Sequence, residues 1–311
     1  MTDLAIYQAP PDRRAAGLAV RFRLGMLPRA YWLLLPSLFF LFLFTYVPVL
    51  EAGLQAVTIQ GFGGKITGYG LDNFRRLFGD AAFIKALTNN IVYGVGTLAP
   101  SLAIAVILAV ALEESTRLNR MLRTLFVFPL MLPLVAAATL FAFIMMPGVG
   151  LLDHYLAKLG IASTNWLGDP DIALYSIIGL TIWKNAGYYM LFALAGLQSI
   201  PRDVYEAARL DGAGPVRRFF TITLPLLKPT LAFIVVIALI NVVTQVDHVI
   251  VLTSGGPSNS TNLLLNYIYQ AAHEQSDTGL AAAATVVTVT LLLCLSFLSM
   301  RTLERGMHYE S

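Results

Sequence analysis

The sequence predicts an all-α polytopic membrane protein with six transmembrane helices, and both its composition and its hydropathy support this class. Of the 311 residues, 57% are hydrophobic and only 13% are charged, about half the charged share of an average soluble domain. Mean hydropathy is +0.70, and Cys294 has no second cysteine in the chain to pair with. A soluble enzyme and a disulfide-stabilised scaffold are therefore excluded.

Six segments are apolar over roughly the 20 residues that a helix needs to cross a bilayer. Only two charged residues, Lys184 and Asp247, lie within them, which is hard to obtain in a soluble core. We expect Pro129, Pro133 and Pro147 to kink or end the third span, where neighbouring helices can satisfy the freed carbonyl groups. The six predicted spans are residues 31–50, 86–112, 124–146, 173–197, 229–253 and 281–300.

The lysine and arginine residues outside the spans are divided unequally between the two sides of the membrane. Fifteen lie on the side that carries both termini, and five lie on the other side. Because positively charged loops stay in the cytoplasm, the sequence predicts that both termini are cytoplasmic. The predicted parts are a cytoplasmic arm (1–30), a transmembrane domain (31–300) and a cytoplasmic tail (301–311).

The cytoplasmic connection between the fourth and fifth spans, residues 198–229, is far longer than a passive connector needs to be. Pro201 suits the start of a helix, and Gly212 suits its end. Between them, Ala207 and Ala208 give a face small enough to fit closely into the groove of a partner protein. The alternative is an amphipathic helix that lies on the lipid surface.

The same segment resembles the EAA loop of the permease subunits of bacterial ABC importers. Glu206-Ala207-Ala208 is followed after three residues by Gly212 and after nine more by Ile222, which are the fixed positions and spacings of that motif. The neighbouring residues resemble the carbohydrate-importer branch, of the maltose and glycerol-3-phosphate type. That likeness extends over residues 70–74, 197–201, 211–213 and 253–257.

The resemblance implies a permease subunit of the bacterial inner membrane that forms half of the pathway for a sugar, polyol or glycerol-phosphate-like solute. In this family the EAA loop forms a coupling helix that sits in a cleft on the ATP-binding subunit. The implied partners are a second permease subunit, two ATP-binding subunits, an external solute-binding protein, membrane lipid and the solute, with no nucleic acid. The implied coupling residues are Glu206, Ala207, Ala208, Asp211, Gly212 and Ala213.

The sequence lacks the P-loop that an ATPase needs, G-x-x-x-x-G-K-[ST]. Gly64-Lys65 is followed by Ile66 and falls on the predicted outer side, where ATP is absent. ATP and Mg are therefore expected on the partner ATP-binding subunits. We expect no catalytic residue, cofactor or metal on this chain, since its histidines are dispersed without metal-ligand spacing.

Polar residues within the fourth and fifth spans are candidates to line the solute pathway, because polar groups in a span usually face a cavity or another helix. Amides both donate and accept hydrogen bonds, as hydroxyl-rich solutes require. In the fifth span the candidates are spaced i, i+4 and i+7, which predicts one helix face. The candidates are Trp183, Lys184, Asn185 and Tyr188 in the fourth span and Asn241, Gln245 and His248 in the fifth.

Each candidate also has a structural interpretation. Asn241 and Gln245 can form hydrogen bonds between helices, and Tyr188 can simply pack in the core. Lys184 can extend toward the interface, pair with Asp247, or attract an anionic solute.

Two other classes of protein are alternatives. A membrane-embedded enzyme needs acid, base or nucleophile groups clustered at one depth, and the two charged residues within the spans do not form such a set. A secondary transporter usually has internal repeats and broken helices, and the sequence gives no sign of either.

Overall fold

The computed structural model describes residues 33–60 and 66–304. The predicted N-terminal arm, residues 1–30, lies outside the described residues, as does most of the predicted tail. The chain divides into two compact units, Met1–Leu54 and Gln55–Ser311. In the first unit, the described residues form part of one helix, which contains a π-helical turn at Phe42–Tyr46.

Helices make up most of the described chain, which confirms the all-α prediction. A short antiparallel hairpin, β1 (Thr58–Gln60) and β2 (Ile66–Tyr69), is the exception within the described residues. The helices are α1 (Leu33–Val57), α2 (Asp72–Gly79), α3 (Ala81–Ala111), α4 (Arg117–Met131), α5 (Leu134–Ile144), α6 (Leu151–Lys158), α7 (Ala173–Gln198), α8 (Arg202–Leu210), α9 (Pro215–Leu226), α10 (Lys228–Thr244), α11 (Asp247–Leu252), α12 (Leu264–Tyr269) and α13 (Thr278–Glu304).

Three of the described helices, α1, α3 and α13, are long and apolar enough to cross a membrane as continuous helices. Two further pairs meet the same requirement if each pair is one span. These are α4 with α5, bent by 99°, and α9 with α10, bent by 65°. Helix α7 coincides with the fourth predicted span and has 26 residues, but it carries Lys184 and Asn185 near its middle and is not one of these three.

Helix α7 is the central helix of the second unit. Of its 26 residues, 17 are buried, because α7 packs along α3 and also against α4 and α10. The core at this crossing includes Ala105 of α3, Met190 and Ala193 of α7, and Ile234 of α10. Neighbouring helices rather than lipid therefore surround the polar middle of α7, which offsets the cost of placing a lysine there.

The fifth predicted span, residues 229–253, is not a continuous helix, so this prediction is wrong in detail. Helix α10 ends at Thr244, Gln245 has an extended backbone (φ −90°, ψ 100°), and α11 starts at Asp247. The third predicted span is also broken, between Met131 and Leu134, as its prolines led us to expect. Hydropathy reports how apolar a segment is and carries little information about its backbone dihedral angles.

The connection between α5 and α7 is held together by the carboxylate of Asp153, which is 5% exposed. Asp153 accepts hydrogen bonds from the Gly148 backbone N–H (2.7 Å), from the Ser163 hydroxyl and from the Trp166 indole N–H (2.7 Å). These donors, led by the Gly148 N–H, lower the pKa of Asp153 from 3.8 to about 2 because they stabilise the charged form.

A second core joins α2, α3, α12 and α13, where small side chains such as Ala283 and Ala284 allow close packing. Two contacts of Asp277 secure the start of α13. One carboxylate oxygen accepts from the Leu280 backbone N–H (3.0 Å) as a helix N-cap, and the other lies 2.5 Å from the Arg76 guanidinium. Asp277 therefore ties α13 to α2 and stabilises the first turn of α13.

Candidate functional site

A small polar cavity lies where α3, α7 and α10 cross. Its volume is about 10 Å³, which is room for about one water molecule. The three helices therefore close around it in this conformation. The lining residues are Tyr93, Thr97, Leu98, Ser101, Thr181, Asn185, Tyr189, Ala238, Asn241, Val242 and Gln245.

Buried polar side chains, one of them without a hydrogen bond in the described chain, converge on this cavity. The Ser101 hydroxyl is buried and forms no hydrogen bond within the described part of the chain. Asn185 is 5% exposed and lines the same cavity. Asn241 donates a long bond, 3.3 Å, to the Tyr189 hydroxyl. Buried groups of this kind are costly unless a ligand or water satisfies them.

Three of the residues predicted to line the pathway come together in this cavity. They are Asn185 from α7 and Asn241 and Gln245 from the fifth predicted span. The prediction that His248 shares a helix face with Asn241 and Gln245 is wrong, because the backbone breaks between α10 and α11. His248 is fully buried behind the lining, with Nε2 3.0 Å from the Tyr93 hydroxyl.

The other predicted residues lie outside the polar cavity. The ring of Trp183 contacts that of Phe141 on α5, with 5.1 Å between centroids. Tyr188 packs edge-on against Phe192, at 5.0 Å. The Lys184 ammonium donates to two backbone carbonyls of the α4–α5 bend, and no ion pair joins it to the exposed Asp247.

Sequence reasoning missed the contribution of α3. Tyr93, Thr97 and Ser101 follow one another at intervals of four residues, and all three line the cavity. That spacing places their side chains on one stripe of the helix. A polar stripe in an otherwise apolar span was a readable signal of a cavity-facing surface.

A short helix, α8, lies at the position of the predicted coupling segment. Its inner side packs on the core through Ala208, which is 7% exposed, and through the ring of Tyr205. The Tyr205 hydroxyl is 3.1 Å from the Thr223 hydroxyl on α9. Glu206 and Ala207 are exposed on the other side, so α8 combines a fixed inner face with a free outer face.

The glycine that ends α8 has a left-handed backbone, with φ +73°. The Ala213 N–H donates to the Ala208 carbonyl (3.0 Å), and the Gly212 N–H donates to the Arg209 carbonyl (3.1 Å). These two bonds form a Schellman motif, which closes a helix and favours glycine at the left-handed position. The chain therefore turns sharply at Gly212, directly after Asp211 and the exposed face of α8.

The comparisons with known proteins identify the family. Residues 101–309 match the model of the family described as "Binding-protein-dependent transport system inner membrane component". The chain belongs to this family. Its members are inner-membrane transport components rather than enzymes, and the chain is accordingly a multi-pass permease subunit of a binding-protein-dependent ABC importer. The resemblance seen in the EAA segment is thereby confirmed.

Relatives of nearly equal length support this membership. The chain is 35% identical over 281 residues to the probable ABC transporter permease protein YurN of Bacillus subtilis (strain 168), covering 89% of this chain and 96% of YurN. It is 35% identical over 293 residues to the sn-glycerol-3-phosphate transport system permease protein UgpA of Escherichia coli O157:H7, covering 93% and 98%.

Solved structures share the fold. A chain of a bacterial ABC transporter involved in the import of the acidic polysaccharide alginate aligns with a TM-score of 0.80 and 25% identity, covering 92% of this chain and 99% of that one. A chain of a bacterial alginate ABC transporter in complex with an alginate pentasaccharide-bound periplasmic protein aligns with a TM-score of 0.79 at 24% identity, covering 89% and 94%.

Proposed function

We propose that this permease subunit imports a sugar, polyol or glycerol-phosphate-like solute, which passes through the cavity between α3, α7 and α10. The observation that carries the proposal is the convergence of Ser101, Asn185, Asn241 and Gln245 on one cavity. Hydroxyls and amides both donate and accept hydrogen bonds, which matches a solute that is rich in hydroxyl groups. The names of the UgpA and alginate-importer relatives support the same class of solute.

The cavity is too small for such a solute in this conformation, so transport requires α3, α7 and α10 to separate. We infer that ATP binding and hydrolysis on partner subunits supply the work. We expect no cofactor on this chain and infer that ATP and Mg bind to two ATP-binding subunits. A second permease subunit completes the pathway, and an external binding protein delivers the solute.

Helix α8 is suited to transmit that work. Only Ser199, Ile200 and Pro201 separate its start from the end of α7, and the contact between Tyr205 and Thr223 joins it to α9. A displacement of α8 is thereby passed to the cavity-lining helix α7 and to the bent pair α9–α10. We infer that Glu206, Ala207, Asp211, Gly212 and Ala213 lie at the ATP-binding subunit, with α8 and both termini in the cytoplasm. Ala208, also predicted as a coupling residue, supports α8 from its inner side, where it is buried against this chain.

The solute pathway is tested by uptake into proteoliposomes that contain the complete importer, with labelled sn-glycerol-3-phosphate, maltose and glycerol as probes. We expect ATP-dependent uptake of at least one probe. Asn185→Leu and the double variant Asn241→Leu with Gln245→Leu should reduce it strongly while the importer still assembles. Thr139→Val, at an exposed site on α5, is the matched control and should transport normally.

Unchanged transport by both cavity variants would refute the pathway. Uptake driven by an ion gradient without the ATP-binding subunits would instead support a secondary transporter. Coupling is tested separately with Glu206→Lys, which should abolish uptake while the external protein still binds its solute. Normal ATP-coupled uptake by this variant would exclude the role of α8.

A further inference from the structure

Lys184 is a buried cation in the middle of α7, with 7% of its surface exposed. Its ammonium group donates a 2.6 Å hydrogen bond to the Leu132 carbonyl and a 3.2 Å bond to the Pro129 carbonyl. Both carbonyls belong to the point where α4 and α5 bend by 99°. The Lys184 ammonium is therefore hydrogen-bonded to the backbone of another span and does not point into the polar cavity.

The sequence of the bend explains why these carbonyls need a donor. In a continuous helix the Pro129 carbonyl would accept from the N–H of residue 133, but Pro133 has none, so this carbonyl is left with a 3.3 Å bond from the Leu132 N–H within its own span. Leu132 has an extended backbone (φ −76°, ψ 133°), so its carbonyl also leaves the helical pattern. The carboxyl end of α4 carries partial negative charge, and Lys184 supplies a complementary charge, a donor for the Leu132 carbonyl and a second donor for the Pro129 carbonyl.

Two neighbours of Lys184 on α7 contact the two helices that meet at this bend, α4 and α5. At Gly187, one turn further along α7, an added Cβ would lie 1.9 Å from the Phe126 carbonyl oxygen of α4, so the two backbones touch there. On the other side, the Trp183 ring packs against Phe141 of α5. Residues 183–187 therefore contact α5, the bend and α4 in succession, and include Asn185 of the cavity.

We propose that Lys184 is a positioning residue that keeps the bent pair α4–α5 attached to α7 as the importer changes conformation. Since α7 leads into α8, a displacement of α8 is passed through α7 and the Lys184 ammonium to the α4–α5 bend. The role rests on the proposed transport cycle, but it does not depend on which solute is carried.

Distances between spin labels in the complete importer, reconstituted in nanodiscs, test the role without any solute. Labels at Leu118 on α4 and Phe143 on α5, both 65% exposed, report the bend in a Cys294→Ala background. Labels at Val95 on α3 and Tyr175 on α7 form a control pair, because no Lys184 contact lies between them. Each pair is measured without nucleotide and with ATP and vanadate.

In the parent we expect one narrow distance across the bend in both nucleotide states. Lys184→Met should increase the population of other bend geometries by about tenfold or more, since a hydrogen bond to a charged group is worth at least that factor in an equilibrium constant. The distance of the control pair should not change. Lys184→Arg, which keeps the charge and the donors, should restore the narrow distance.

A distance across the bend that is the same in Lys184→Met and in the parent, in both nucleotide states, would overturn the proposal. Equal broadening of the control pair would also overturn it, because it would show general loosening of the bundle. If Lys184→Met does not assemble, Lys184→Leu, which likewise removes both the donor and the charge, carries the same test. A failure of the cavity variants to affect uptake would leave these distances unchanged, so the two proposals fail separately.

Discussion

Replacing Gly212 by alanine isolates the contribution of one left-handed residue to the end of α8. Gly212 has φ +73°, and an added Cβ would meet no atom within 4 Å. The substitution therefore introduces no steric clash with the rest of the chain. What remains is the cost of holding an L-residue in the left-handed region, together with any weakening of the two Schellman hydrogen bonds.

That cost is about 1–2 kcal/mol for an ordinary residue. A penalty of this size lowers, by a factor of roughly 5–30, the ratio of molecules with the two Schellman hydrogen bonds formed to molecules with them broken. Asparagine tolerates the left-handed region, so Gly212→Asn should cost less than Gly212→Ala. Gly212→Pro should cost the most, because proline fixes φ near −65° and lacks the N–H that bonds to the Arg209 carbonyl.

Hydrogen exchange followed by mass spectrometry measures this directly, on peptides that contain the Ala213 amide, which every variant in the series keeps. Uptake per ATP hydrolysed, in the same preparations, reports coupling. Gly214→Ser provides the matched control two residues away. Gly214 has φ −65° at the start of α9, and an added Cβ would lie in open space, so serine should be accepted there as an N-cap.

We expect faster exchange and weaker coupling in the order asparagine, alanine, proline. Exchange in Gly212→Ala as slow as in the parent would refute the conformational reasoning. Normal coupling in Gly212→Pro, despite accelerated exchange, would show that the shape of the α8 end is not needed for transport.

Two further predictions concern the loops outside the spans. Because the pKa of Asp153 is lowered to about 2, its contribution to folding should be complete above about pH 4 and lost as the pH falls through about 2. Trp166 fluorescence, taken as the difference from a Trp166→Phe variant, should follow that loss. Asp153→Asn should remove the pH dependence of this fluorescence. Asp277→Ala should lower the thermal stability more than Asp277→Asn. Alanine loses both the N-cap, worth about 1 kcal/mol, and the Arg76 ion pair, worth at most about 1 kcal/mol at an exposed site, whereas asparagine loses the ion pair and can still cap the helix. Equal melting temperatures for the two variants would contradict the capping role.

Several features of this protein follow from residues that are close together in the chain. Low charge and long apolar segments determine a helical membrane protein, because a bilayer selects for those properties over about 20 consecutive residues. The coupling motif is equally local. Its glycine was predicted to end the helix, and it does so at Gly212 through hydrogen bonds that span five residues or fewer.

Other features depend on which helices pack together, and only the tertiary structure decided them. Lys184 bonds to a carbonyl 52 residues away, and no local pattern distinguishes that partner from Asp247 or a solute. Asn185 and Asn241 share a cavity with Ser101 because α3, α7 and α10 cross there. The break at Gln245 separates His248 from their face. Hydropathy is a property of each segment by itself, whereas hydrogen-bond partners and cavities arise where segments meet.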